Sequence, residues 1–98
     1  MPLAASLAAA RKPAAIVAVG CLIKGQTTQY EAIGQAVAQG LMQVSVAHRV
    51  PVGFGVIIAD SVAQAKARAG GAMGNRGEAA AAAALDMHAL RRRWRAGR

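Results

Sequence analysis

The run Gly20-Cys21-Leu22-Ile23-Lys24-Gly25-Gln26-Thr27-Thr28-Gln29-Tyr30-Glu31 puts a glycine corner and two hydroxyl side chains where an apolar stretch gives way to helix-forming residues. Backbone N–H groups at the start of a helix are ready donors to a phosphate, and the Gly25 to Thr28 corner supplies them. Further on, Gly70 to Gly77 is rich in glycine and is flanked and interrupted by Arg68 and Arg76. A guanidinium reads phosphate oxygens in bidentate fashion. Together these residues predict half of a site for a small phosphorylated substrate.

Each piece taken alone also has a plainer reading. Thr27 and Thr28 suit helix capping, with Thr28 and Glu31 spaced as a capping box. Arg68 suits a helix end, where the dipole favours a cation. Phe54 inside an apolar run suits a core, and Gly74-Asn75-Arg76-Gly77 suits a turn. Cys21 has no base beside it in sequence and reads as a small buried hydrophobe, not a nucleophile. His48 reads as a surface residue at a helix end. His88 has no Cys or second His at ligand spacing, so a metal site is not expected.

The elements that must position these residues follow from periodicity and punctuation. Leu3 to Lys12 reads as a helix stopped by Pro13. Ala15 to Val19 is apolar on both faces, as in a buried parallel strand, and Gly20 to Thr28 reads as a loop. A helix is expected from Gln29 to about His48, with Ile33, Val37, Leu41 and Val44 on one face. Gly34 and Gly40 weaken it, which predicts close packing at both. Val50-Pro51 ends it, and Val52 to Ala59 is a second apolar strand. Asp60 or Ser61 caps a short helix reaching Arg68, Gly70 to Gly77 is a flexible loop, and Glu78 to about Trp94 is a final helix. This order predicts one right-handed β-α-β unit with flanking helices. Two strands are too few for a stable open sheet, and nothing in the chain pairs the other edge of Ala15 to Val19. The pattern is that of the second half of a doubly wound domain.

Bulk properties narrow the setting. Ninety-eight residues make one domain, 55% apolar but with only three aromatics and much alanine. Alanine buries little area, so the core should be thin and stability should lean on partner subunits. The formal charge is +8, and five of the twelve cations, Arg91, Arg92, Arg93, Arg95 and Arg98, crowd the last eight residues. Residues 91–98 therefore read as a solvated, disordered basic tail on a 1–90 domain. The competing reading is nucleic-acid binding, with Trp94 stacking on a base, and it is not the expected one. The longest uncharged apolar stretches run about ten residues, short of the roughly twenty that cross a membrane. Arg11 and Lys12 follow the first apolar stretch, the wrong order for a secretory signal. A single cysteine forms no internal disulfide, which fits a reducing cytoplasm.

Ala18-Val19-Gly20-Cys21-Leu22-Ile23-Lys24-Gly25, Gly40-Leu41-Met42, Pro51-Val52-Gly53-Phe54-Gly55-Val56, Gln64 to Gly70, Gly74-Asn75-Arg76-Gly77 and Ala84-Leu85-Asp86-Met87 occur in this order. Together they resemble the lumazine synthase family, 6,7-dimethyl-8-ribityllumazine synthases of riboflavin biosynthesis, from about Pro2 to Leu90. The resemblance implies a flavodoxin-like three-layer α/β/α sandwich with a parallel sheet, lacking the family's opening β-α-β. It implies condensation of 5-amino-6-(D-ribitylamino)uracil with 3,4-dihydroxy-2-butanone 4-phosphate, a transferase reaction with neither metal nor organic cofactor. It also implies pentamers, some built into icosahedral shells, with sites between neighbouring subunits. By the same resemblance, Cys21, Leu22 and Ile23 hold the pyrimidine, and Gln26 and Thr27 bind the phosphate. Phe54 is the aromatic that a neighbour lends, Arg68 pairs with phosphate, and Arg76 replaces a usual lysine. Gln29 stands at the position of the catalytic histidine. A positioned general acid or base is typically worth ~10²–10⁴ in rate, and an amide does not titrate near neutral pH, so impaired turnover is expected. The alternative is a non-catalytic fragment or an assembly-only relative.

Overall fold

A computed structural model describes residues 1–26 and 29–96, with no side-chain description for residue 96. The elements run α1 (Pro2–Ala9), β1 (Ile16–Ile23), α2 (Gln29–His48), β2 (Val52–Ala59), α3 (Val62–Arg68), β3 (Ala69–Gly71), β4 (Gly74–Asn75) and α4 (Arg76–Ala96). β1 and β2 pair in parallel over eight residues, from Ile16 opposite Val52 to Ile23 opposite Ala59. The chain is thus α/β, one β-α-β unit between two helical layers.

Strand alternation decides which helix each residue meets. One face of the sheet, carrying Ile16, Ala18 and Val52, packs with Ala5 and Ala9 of α1 and with Val37, Leu41 and Val44 of α2. The other face carries Gly53 and Gly55, and α4 lies on it through Ala80 and Ala84. Ile57 and Ala59 on that face pack on Ala65 of α3. A Cβ at Gly53 would collide with the Ala80 carbonyl, so the absent side chain sets how closely α4 approaches. The close packing expected at Gly34 and Gly40 is present: a Cβ there would meet Ile58 at 2.5 Å and Pro2 at 2.7 Å.

Several boundaries differ from expectation. β1 continues through Gly20, Cys21 and Leu22 to Ile23, because all four find partners on β2. Glycine 20 reads as punctuation in sequence, but here it makes room for Met1, which a Cβ would meet at 3.1 Å. Ile33 is 49% exposed, and Gly34 takes the inward position on α2 instead. The glycine-rich segment after Arg68 is a small antiparallel hairpin, with Gly70 and Gly74 at φ of 110° and 95°, values open mainly to glycine. Residues Arg91 to Ala96, expected in a disordered tail, continue α4. The capping box of Thr28 and Glu31 involves a residue outside those described.

The core is thin, as alanine-rich composition predicts: among the described residues, seven of the eleven buried apolar ones are alanine. The surface is correspondingly large. Accessible area is 6741 Å², against about 5200 Å² for a compact monomer of this mass. The radius of gyration is 14.7 Å, where about 12.6 Å is usual for the length. Part of the excess lies along β1, which has no strand on its outer side among the described residues. Val17 and Val19, expected to be buried, are exposed there, Val19 at 59%, because α4 covers β2 more than β1.

Candidate active site

The carboxyl ends of β1 and β2 lead into the loop before α2 and into the turn before α3, the place where open α/β sheets bind ligands. Cys21, Leu22 and Ile23 are the last three residues of β1, with Leu22 half-buried and Cys21 and Ile23 exposed. Cys21 is therefore not the buried hydrophobe expected. It sits on the sparsely covered side of β1. Lys24 N–H donates to the Ala59 carbonyl at 2.9 Å, which carries the pairing to the strand ends. Gln26 is exposed in the corner beyond, and Gln29 is the exposed first residue of α2. Thr27, expected at the phosphate turn, lies outside the described residues.

One hydrogen-bonded cluster braces this corner. The Tyr30 hydroxyl, in the first turn of α2, donates to Asp60 Oδ1 at 3.0 Å and lies 3.3 Å from Glu31 Oε1. The bond to Asp60, then partial desolvation, then the two carboxylate charges push the Tyr30 pKa up to about 12. The phenol is thus held protonated as a donor. Asp60 N–H in turn donates to Gln64 Oε1 at 2.8 Å, while Ser61 Oγ accepts from Gln64 N–H at 3.2 Å and caps α3. Ser61 is the cap, of the two residues the sequence left open. Sequence reasoning did not single out Tyr30 and Asp60 as a pair. Thirty residues separate them, and only the β-α-β crossover brings them together.

A second group lies elsewhere on the chain. Arg68 ends α3, half-buried, with Nη1 3.4 Å from the Gln64 carbonyl. The hairpin pairs Ala69 with Asn75, so Arg68 and Arg76 leave from its two adjacent ends. Asn75 Oδ1 accepts from Glu78 N–H at 3.0 Å and caps α4, which makes Arg76 the first residue of that helix. Two arginines thus flank one hairpin base, and guanidinium groups read phosphate oxygens in bidentate fashion. The seven residues of α3 separate Arg68 from the Tyr30–Asp60 corner, about 10 Å of helix.

Phe54 belongs to neither the core nor the corner. It lies opposite Ala18 in the first half of β2 and is 42% exposed. Five residues of strand, about 16 Å, separate it from Ala59 at the strand end. One chain therefore brings together Cys21, Leu22, Ile23, Gln26 and Gln29, and separately Arg68 and Arg76. Phe54, by its place on β2, stands apart from the corner, whereas Arg68 turns back along α3 to the Gln64 carbonyl, whose residue also accepts from Asp60 N–H. Among the described residues no group of three or more His, Cys, Asp or Glu side chains converges on a metal-sized site.

Comparison with known proteins places the sequence in a family. The sequence model of the 6,7-dimethyl-8-ribityllumazine synthases matches residues 1–92. A protein of that name from Stenotrophomonas maltophilia K279a is 50% identical over 84 residues, covering 86% of this chain and 54% of its own. One from Xanthomonas campestris pv. campestris B100 is 46% identical over 88 residues, 89% and 57% of the two chains. A third, from Porphyromonas gingivalis, is 45% identical over 78 residues, 80% and 48%. The chain thus spans about half the length of the curated relatives it matches. With a family match across nearly its whole length, this chain belongs to the 6,7-dimethyl-8-ribityllumazine synthase family.

Proposed function

We propose that this chain serves riboflavin biosynthesis in the cytoplasm, by joining 5-amino-6-(D-ribitylamino)uracil to 3,4-dihydroxy-2-butanone 4-phosphate without metal or organic cofactor. The observation that carries the reading is the separation of Phe54 from the strand-end corner on one chain. The end of β1 from Cys21 to Gln26 and the exposed start of α2 at Gln29 offer an apolar strand end and backbone donors. Phe54 offers an aromatic face away from that corner. A site using both needs two copies, the corner of one subunit facing Phe54 of the next. The surface excess of about 1500 Å² over a compact monomer is of the size a specific interface buries. Rings such as pentamers, or shells built from them, satisfy this head-to-tail contact.

In this arrangement Cys21, Leu22 and Ile23 line the pyrimidine. Gln26 and Thr27 hold the phosphate with Arg68, and Arg76 keeps the charge of a lysine with a different reach and geometry. Gln29 occupies the acid–base position and can orient a proton donor by hydrogen bonding without itself titrating. Turnover by this chain is therefore slow. The test follows lumazine formation by absorbance when the purified chain meets both substrates, with the uncatalysed condensation as baseline.

A second reading has one observation in its favour, the amide at Gln29. An assembly-only relative would form family-like particles, and its rate would stay at baseline even with histidine at position 29.

A further inference from the structure

The C-terminal ends of α2 and α4 project past the amino end of the sheet and enclose a groove of about 880 Å³. Its floor is Val50 and Pro51, just before β2, and both are buried. Val46 from α2 and Met87, Leu90 and Trp94 from α4 form apolar walls that are all exposed, Trp94 at 75%. The α4 residues facing it, Met87, Leu90, Arg91, Trp94 and Arg95, recur at helical spacing. Arg49, Arg91 and Arg95 rim the groove, and no acidic residue lines it.

The Arg91 guanidinium hydrogen-bonds the Arg49 and Ala14 carbonyls, which anchors that wall but leaves the positive charge uncompensated. We propose that this groove docks an acidic amphipathic helix from a partner protein, with apolar anchors at i, i+3, i+4 and i+7 and flanking carboxylates on the arginine rim. Charge complementarity selects this occupant. A second copy of the chain is a poor one, since the chain carries four acidic residues and no helix has more than two. A membrane surface is also a poor match, because the apolar side chains line a concavity instead of a flat face.

Trp94 is the only tryptophan and reports occupancy directly. The probe is a synthetic helical peptide with leucines at i, i+3, i+4 and i+7 and glutamates beside them. A lysine-for-glutamate version and anionic phospholipid vesicles serve as comparators. The expected result is a saturable blue shift of Trp94 emission with the acidic peptide, weakened by salt. Arg49→Glu and Arg95→Glu should each weaken binding about fivefold or more, at unchanged circular dichroism. Anisotropy of labelled peptide should show the same loss with Leu90→Glu. The proposal is overturned if the peptide causes no shift, or if the lysine version binds as well. It is overturned equally if vesicles give the same arginine-dependent shift while the peptide does not, or if emission shifts with protein concentration alone.

Discussion

The Tyr30 hydroxyl donates a 3.0 Å hydrogen bond to Asp60 Oδ1, tying the first turn of α2 to the residue that follows β2. It adds to the Lys24–Ala59 backbone bond in holding together the proposed substrate corner. Its signature is a phenol pKa raised from 10.0 to about 12. Because the folded value is the higher one, the contribution to stability is fully present below pH 10 and is lost as pH rises through about 12. Tyr30 is the only tyrosine, so phenolate absorbance reads it alone. The expected midpoint is near 12, falling toward 10 in Asp60→Asn. A midpoint near 10 in the native chain would remove the brace.

Gly53 and Gly34 predict unequal responses to a single methyl group. A Cβ at Gly53 meets backbone, the Ala80 carbonyl of α4, which moves only with its helix. Gly53→Ala is expected to cost about 1–3 kcal/mol, seen as a lower denaturant midpoint. A Cβ at Gly34 meets the far end of the Ile58 side chain, which can turn aside. Gly34→Ala also gains about 1 kcal/mol of helix propensity, so its midpoint should change little.

Arg91 works as a staple between the layers. Nη1 reaches the Arg49 carbonyl at the end of α2 at 2.5 Å, and Nη2 reaches Ala14 before β1 at 3.2 Å. Nη2 also lies 3.2 Å from His88 Nδ1. Arg91→Ala leaves those carbonyls without this partner at about 1–3 kcal/mol, a fall in Tm of several degrees for a domain this small. Arg91→Lys recovers part of the loss, since one ammonium cannot span both carbonyls. Arg92→Ala, on the exposed side of the same turn, should be near neutral.

The helix–strand order was legible because Pro13, Pro51 and the apolar runs punctuate it, and the alanine-thin core followed from composition. The end of β1 was not. Gly20 looks like a break until the partner strand is known, and Val56 supplies that partner. Arg91 was hidden for a related reason: five arginines in eight residues look like a solvated tail, and only the folded position of Arg49 and Ala14 gives one of them a partner. For the candidate site, the grouping of residues in space was not legible. Arg68 and Arg76 join through an unforeseen hairpin, and the place of Phe54 on β2 sets it apart from the corner.

The open side of β1 predicts a gain from added chain. Val17, Val19 and Ile23 are exposed beside an edge with no strand partner among the described residues, a liability that proteins normally cover. Placing ahead of Met1 the portion of the Stenotrophomonas relative that this chain does not match should protect β1 amides in hydrogen exchange and raise Tm. Unchanged exchange along β1 would mean that the edge is covered in another way.

The assignment of the proton-transfer position to residue 29 is tested most directly by kcat for lumazine formation in the native chain and in Gln29→His, measured against the uncatalysed reaction. The expected result is a native rate close to baseline and an increase of about 10²-fold or more with histidine, abolished when Arg68→Ala is added. A native chain already well above baseline, or a histidine variant no faster than it, would contradict the role given to Gln29.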